Sequence, residues 1–176
     1  VLLMDTANMK FLKVAKLPTI SSMFPMPQDI KISPDGKSYY IADMASNGLW
    51  VMKANNFGKF SLIKTGRGAH GLYVTRDAKN LLITNRGEGS ISVLRFSDNK
   101  LIAKWKIPGG GSPDMGNIST DGRYFWVSGR YDNEVYVFNI EKGKFVTRIK
   151  VGNEPHGLTY WPQPGRYSLG HTGIMR

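Results

Sequence analysis

Pro27–Asp43 reads PQDIKISPDGKSYYIAD: an alternating apolar run, a Pro-Asp-Gly turn and a second alternating run. Alternation at period two places every other side chain on one face of a strand, and a turn of this kind between two such runs is a β-hairpin signal. The pattern returns as AHGLYVTRDAKNLLITN from Ala69, PDMGNISTDGRYFWVSG from Pro113 and PHGLTYWPQPGRYSLGH from Pro155, at spacings of 42, 44 and 42 residues. A second series fills the intervals: GLWVMKANNFGKFSLIKTG from Gly48, SISVLRFSDNKLIAKWKIP from Ser90 and EVYVFNIEKGKFVTRIKVG from Glu134, with VLLMDTANMKFLKVAKLP at the start. Four strands in a unit of about 42 residues is the arithmetic of a β-propeller blade.

The predicted fold is therefore all-β, a β-propeller of four-stranded antiparallel blades. About four blades' worth of sequence is present: repeats start near 27, 69, 113 and 155, and 1–26 is the end of a blade. Three repeats are complete, and the two ends of the chain are complementary half-blades. The expectation is that residues 1–176 form a single propeller domain, the C-terminal part of a larger propeller, or one half of a homodimer that completes a ring.

Hydrophobic residues make up 41% of the chain, which excludes a disordered polymer. The absence of cysteine removes disulfides, thiolate metal sites and covalent haem attachment. No apolar run reaches the length of a membrane span, and no signal peptide is visible at the start. Twenty-four Lys and Arg against thirteen Asp and Glu give a net charge of +11, an excess that attracts anionic partners. Lys16, Lys106 and Lys150 fall in one column of the outermost strand, with Lys104 and Arg148 in another. Lysine there protects an open sheet edge. A nucleic-acid track needs interleaved aromatics on an exposed basic surface, and only Trp105 offers one, so nucleic acid is not the favoured partner.

Propeller geometry sorts the loops onto two faces. The SPDGK, TRDAK, STDGR and NIEKGK turns lie on one face and read as structural. The other face surrounds the central channel. His70 and His156 occupy one repeat position there, where Gln28 and Asp114 stand in the other blades, with Asp29 adjacent. Arg86 and Arg130 share a second position, and His171 lies one residue before that column. On this reading the histidines sit on exposed loops of one face. Polar groups gathered in a concave mouth are how small-ligand sites are built. Two histidines suit a metal or haem iron, and two arginines suit a carboxylate or phosphate. His70, His156, His171, Arg86, Arg130, Asp29 and Asp114 are the candidate ligand-binding residues, with His70 and His156 the candidate metal ligands.

LYVTRDAKNLLITNRGEGSISVL, ISPDGKSYYIAD and the closing GNEPHGLTYWPQPGRYSLGHTGIMR resemble the YVTN-repeat β-propellers, over essentially the whole chain. That resemblance implies an exported bacterial or archaeal protein, periplasmic or extracellular. Related folds include lactonase-type enzymes and the haem-binding propellers of nitrite reductases. No G-x-S-x-G, H-E-x-x-H, P-loop or dinucleotide motif is present. The leading expectation is a non-enzymatic scaffold that binds a protein or small anionic ligand at its channel face; the sequence leaves its cofactor open and requires none. The alternative is a cofactor- or metal-binding propeller, either related to haem oxidoreductases or a lactonase-like hydrolase.

Overall fold

A computed structural model describes residues 1–20 and 23–165 of the chain. A hairpin comes first, β1 (Leu2–Asp5) paired antiparallel with β2 (Lys10–Val14). The first complete blade is β3 (Pro27–Ile32), β4 (Ser38–Asp43), β5 (Gly48–Lys53) and β6 (Phe60–Lys64), with a single 3-10 turn at Ala54–Asn56. The second is β7 (Ala69–Val74), β8 (Asn80–Asn85), β9 (Ser90–Arg95) and β10 (Lys100–Lys106). The third is β11 (Pro113–Ile118), β12 (Tyr124–Gly129), β13 (Glu134–Asn139) and β14 (Lys144–Lys150). Each blade is a four-stranded meander in sequence order. The inner strands β3, β7 and β11 lie side by side, which sets the blades around a common axis.

The period-two alternation predicted from the sequence builds the core. In the second blade Leu81, Ile83 and Leu94 turn toward the first, packing with Tyr40, Leu49 and Val51. Leu82, Ile91 and Val93 turn the other way, onto Phe125, Val127 and Phe138 of the third. A central blade is thus apolar on both faces, and β7 and β11 are buried along their whole length. The outermost strands β10 and β14 are largely exposed, with their lysines in solvent. β2 ends at Val14, so Lys16 follows the strand instead of lying in it. Trp105 stacks on Phe138 at 5.9 Å between ring centres, partly buried against the core between the second and third blades.

Three hairpin turns on the face away from the channel are near copies. Ser33, Thr75 and Ser119 donate their hydroxyls to Asp35, Asp77 and Asp121 at 2.6 Å each. The next turn residue has positive φ in all three, at Gly36, Ala78 and Gly122.

Two features depart from the simplest reading of the repeats. The first strand of every complete blade carries a register shift at its entry, between Pro27 and Asp29, Ala69 and Leu72, and Pro113 and Gly116. The described part of the fourth repeat, 155–165, forms no strand. Pro155, Pro162 and Pro164 remove three backbone donors from that short stretch, and a strand persists only where a ladder accepts its backbone groups. No helix among the described residues is long and apolar enough to cross a membrane.

Candidate functional site

The register shifts place the candidate side chains. His70 and Asp114 lie within the irregular steps of β7 and β11, where the ladder pairs neither residue directly. A bulge of this kind re-aims a side chain at the cost of one ladder position. Asp114 is fully buried at the centre of the resulting cluster. Its Oδ1 lies 2.8 Å from His70 Nδ1 and 3.5 Å from Arg86 Nη1. Its Oδ2 lies 3.7 Å from Arg130 Nη1 and 3.9 Å from His156 Nε2. The two imidazole rings meet edge to face at 6.3 Å.

His70 is only 3% exposed, which corrects the expectation that it stands on an exposed loop. The bulge turns it inward beside Asp114. His156, at the equivalent repeat position, has its side chain 54% exposed because the segment carrying it forms no strand. That segment is clipped to the third blade instead: Val151 N–H donates to the Asn133 carbonyl, Glu154 N–H to Asn133 Oδ1, and Ser128 Oγ to the His156 carbonyl.

The arginine loops are fixed from beneath. Asn85 accepts from Thr65 Oγ1 and donates to Ser90 and Ser92, a buried network that ends β8 one residue before Arg86. Asp132 accepts from Ser112 Oγ and Tyr136 Oη, while Tyr131 N–H donates to Ser112 Oγ. Tyr131, which the repeats gave no reason to select, lies 62% exposed at the mouth. Its ring faces both guanidinium groups, Arg86 at 5.5 Å and Arg130 at 5.9 Å.

Burial pushes the Asp114 carboxyl pKa up, but the His70 imidazole, followed by the Arg86 and His156 charges, outweighs burial and holds it below the ordinary value. The polar groups are incompletely matched. His70 Nδ1 and Asp114 Oδ2 are buried without a hydrogen bond, despite the short His70–Asp114 approach, and Arg130 Nε is in the same condition. Buried polar atoms left unpaired are costly and point to a missing partner.

Asp29 does not join this cluster. It is buried with Lys31, whose Nζ donates to its two carboxylate oxygens at 3.0 and 3.2 Å, and it accepts the Leu72 N–H at 2.9 Å. Gln28 is exposed and bonds locally to the Met26 carbonyl. His171 lies outside the described residues.

A protein-family model described as YNCE-like beta-propeller matches residues 22–164. Among solved structures, virginiamycin B lyase of Staphylococcus aureus is similar with a TM-score of 0.69 and 20% identity, over 86% of this chain and 50% of that one. Periplasmic gluconolactonase of Pseudomonas aeruginosa gives 0.65 and 20%, over 74% and 43%. Hydrazine synthase of Kuenenia stuttgartiensis gives 0.65 and 23%, over 80% and 40%. The chain spans about half the length, or less, of these propellers. No curated protein matches the sequence significantly.

Proposed function

The chain belongs to the YNCE-like beta-propeller family, and we propose that it is a binding propeller that takes a small anionic ligand at its channel mouth. The observation that carries this reading is the arginine pair. Arg86 and Arg130 converge on one carboxylate, yet approach it only at 3.5 and 3.7 Å, without the short bidentate geometry of a satisfied arginine–carboxylate pair. Asp114 offsets one positive charge of the two and leaves the mouth cationic. A carboxylate or phosphate entering beside Tyr131 would complete the guanidinium forks, which match planar or tetrahedral oxyanions.

The test is calorimetric titration of the purified chain with inorganic phosphate and with a small hydroxy-carboxylate such as gluconate. Saturable binding of either, weakened roughly tenfold or more by Arg86→Ala or Arg130→Ala, supports the reading; one lost bond to a charged group corresponds to that loss. The reading falls if neither anion binds at millimolar concentration, or if both variants bind as the parent does.

A catalytic reading is favoured by a different observation, the approach of the His70 imidazole to a buried carboxylate. Histidine oriented by a carboxylate is an arrangement that moves protons. Similar folds include a gluconolactonase and a lyase whose histidine-to-alanine variant is catalytically inactive. Assays of lactone hydrolysis separate the two: turnover lost in His70→Ala supports catalysis, and anion binding without turnover supports the scaffold. The periplasmic origin of one similar protein supports an exported location, to be tested by fractionating the source cells.

A further inference from the structure

We propose that His70, Asp114 and His156 form a three-ligand site for a divalent transition metal, with its open position toward the channel mouth. The inference rests on the channel-mouth cluster described above and adds a cation beneath the anion.

One ligand atom from each of the three side chains can be chosen so that all lie within 4.8 Å of one another. His70 Nδ1 and Asp114 Oδ1 are already 2.8 Å apart, and His156 Nε2 and Asp114 Oδ2 are 3.9 Å apart. Metal–ligand bonds of about 2.0–2.2 Å in a tetrahedron separate ligand atoms by about 3.4 Å, within the 4.8 Å that encloses the three ligand atoms. Two imidazoles and a carboxylate suit zinc and its neighbours in the first transition row and not a hard, oxygen-seeking ion.

The second observation is independent of spacing. His70 Nδ1 and Asp114 Oδ2 are buried without hydrogen bonds. A metal accepts lone pairs from both at once, so one ion removes two unpaired atoms that no neighbouring donor in the cluster reaches in hydrogen-bond geometry. The third ligand, His156, is exposed, which gives the ion a route in and keeps one side of it open. Three protein ligands with a fourth place left open characterise a metal that binds an exogenous molecule.

Charge decides what that molecule is. With neutral imidazoles, Asp114, Arg86 and Arg130 sum to +1, so a divalent ion alone would leave a strongly cationic mouth. An oxyanion bound to the metal and reached by the guanidiniums compensates both. Metal and anion therefore strengthen each other's binding, by the same factor in each direction.

Untagged, chelator-stripped protein titrated with Co²⁺ tests the site, because coordination by imidazole produces visible d–d absorption. We expect one Co²⁺ per chain, displaced by Zn²⁺, and a several-fold gain in Co²⁺ affinity on adding inorganic phosphate. Asp114→Asn and His156→Ala should each weaken Co²⁺ about a hundredfold; even the outer partners of metal ligands are typically worth ten- to a hundredfold. His156→Ala is the decisive variant because its side chain is exposed and the change leaves folding intact, as circular dichroism will verify. Absence of stoichiometric Co²⁺, or unchanged Co²⁺ affinity in folded His156→Ala, overturns the metal site. Phosphate binding to metal-free protein with no Co²⁺ uptake retains the anion site and overturns only the metal. Co²⁺ uptake without phosphate binding retains the metal and overturns the anion reading.

Discussion

The Tyr73 hydroxyl accepts the backbone N–H of Gly116, in the neighbouring blade, at 2.6 Å. The equivalent N–H one blade earlier, on Leu72, is taken by Asp29 Oδ2 at 2.9 Å. One recurring donor at the channel wall is thus satisfied by two different side chains. The two solutions exclude each other locally. Gly71 stands at the repeat position of Asp29, and a Cβ there would lie 2.6 Å from the Tyr73 hydroxyl.

Tyr73→Phe should therefore destabilise the fold by about 1–3 kcal/mol, the cost of leaving a buried N–H unpaired. Urea denaturation checks this through a lower midpoint at unchanged slope. A variant as stable as the parent would mean that the inter-blade hydrogen bond contributes nothing.

Ala78 has φ of 60°, where Gly36 and Gly122 stand in the other two copies of the turn. A Cβ in the left-handed region costs about 1–2 kcal/mol, partly offset by the greater freedom of unfolded glycine. Ala78→Gly should raise the melting temperature, with a net gain of about 0.5 kcal/mol or more.

The two channel histidines should separate in their effect on stability. His156→Ala should change it by less than about 0.5 kcal/mol, as is usual for exposed positions. His70→Ala empties a buried space beside Asp114 and should cost about 1–3 kcal/mol. Thermal melts of both variants, beside ligand titrations, distinguish a lost fold from a lost site.

Acid should destabilise the protein through carboxylates held below their ordinary pKa. At Asp132, burial raises the pKa but hydrogen bonds from Ser112 and Tyr136 outweigh it. At Glu88, burial is outweighed by hydrogen bonds from Lys104, the Arg67 N–H and Ser90. Each folded pKa lies below the unfolded values of about 3.9 for Asp and 4.3 for Glu. Their contribution is thus fully present above those values and is lost as pH falls through the folded ones. Melting temperature should vary little from pH 7 to 5 on their account and drop below about pH 4. Asp132→Asn should flatten part of that drop.

The lysines on the outer strands should act as edge guards. Lys106→Gln with Lys150→Gln should increase aggregation, read by light scattering, more than it alters binding to nucleic acid. Any such binding should be weak and should fall steeply with salt.

The blades were legible because apolar runs such as Tyr124–Gly129 and Ser90–Arg95, separated by turn residues, recur at spacings of 42 to 44 residues, and the pleat of a strand then sends successive side chains to opposite faces. The column of Gln28, His70, Asp114 and His156 was legible as a position but not as a site. The repeat gives the four residues one address, while burial divides them: Asp114 and His70 are inside, His156 and Gln28 outside. Asp29 was diverted by Lys31, two residues along on the same strand face, a pairing that repeat alignment does not reveal because the other blades carry Gly71–Tyr73 and Met115–Asn117 there. Tyr131 has no aromatic counterpart in the other loops, where Ala45 and Gly87 stand, so only the folded loop reveals its place under the arginines.

The irregular step at the entry of each inner strand has a consequence for how such a molecule can change. Residues in the regular ladder answer to the strands they pair with and to the blades they pack against, so their replacement disturbs the scaffold. The residues in the irregular steps, such as His70 and Asp114, owe the ladder no direct pairing. Selection can therefore rewrite the channel mouth one blade at a time, as the differing Gln28, His70 and Asp114 already illustrate within a single chain, while the wheel that carries it stays the same.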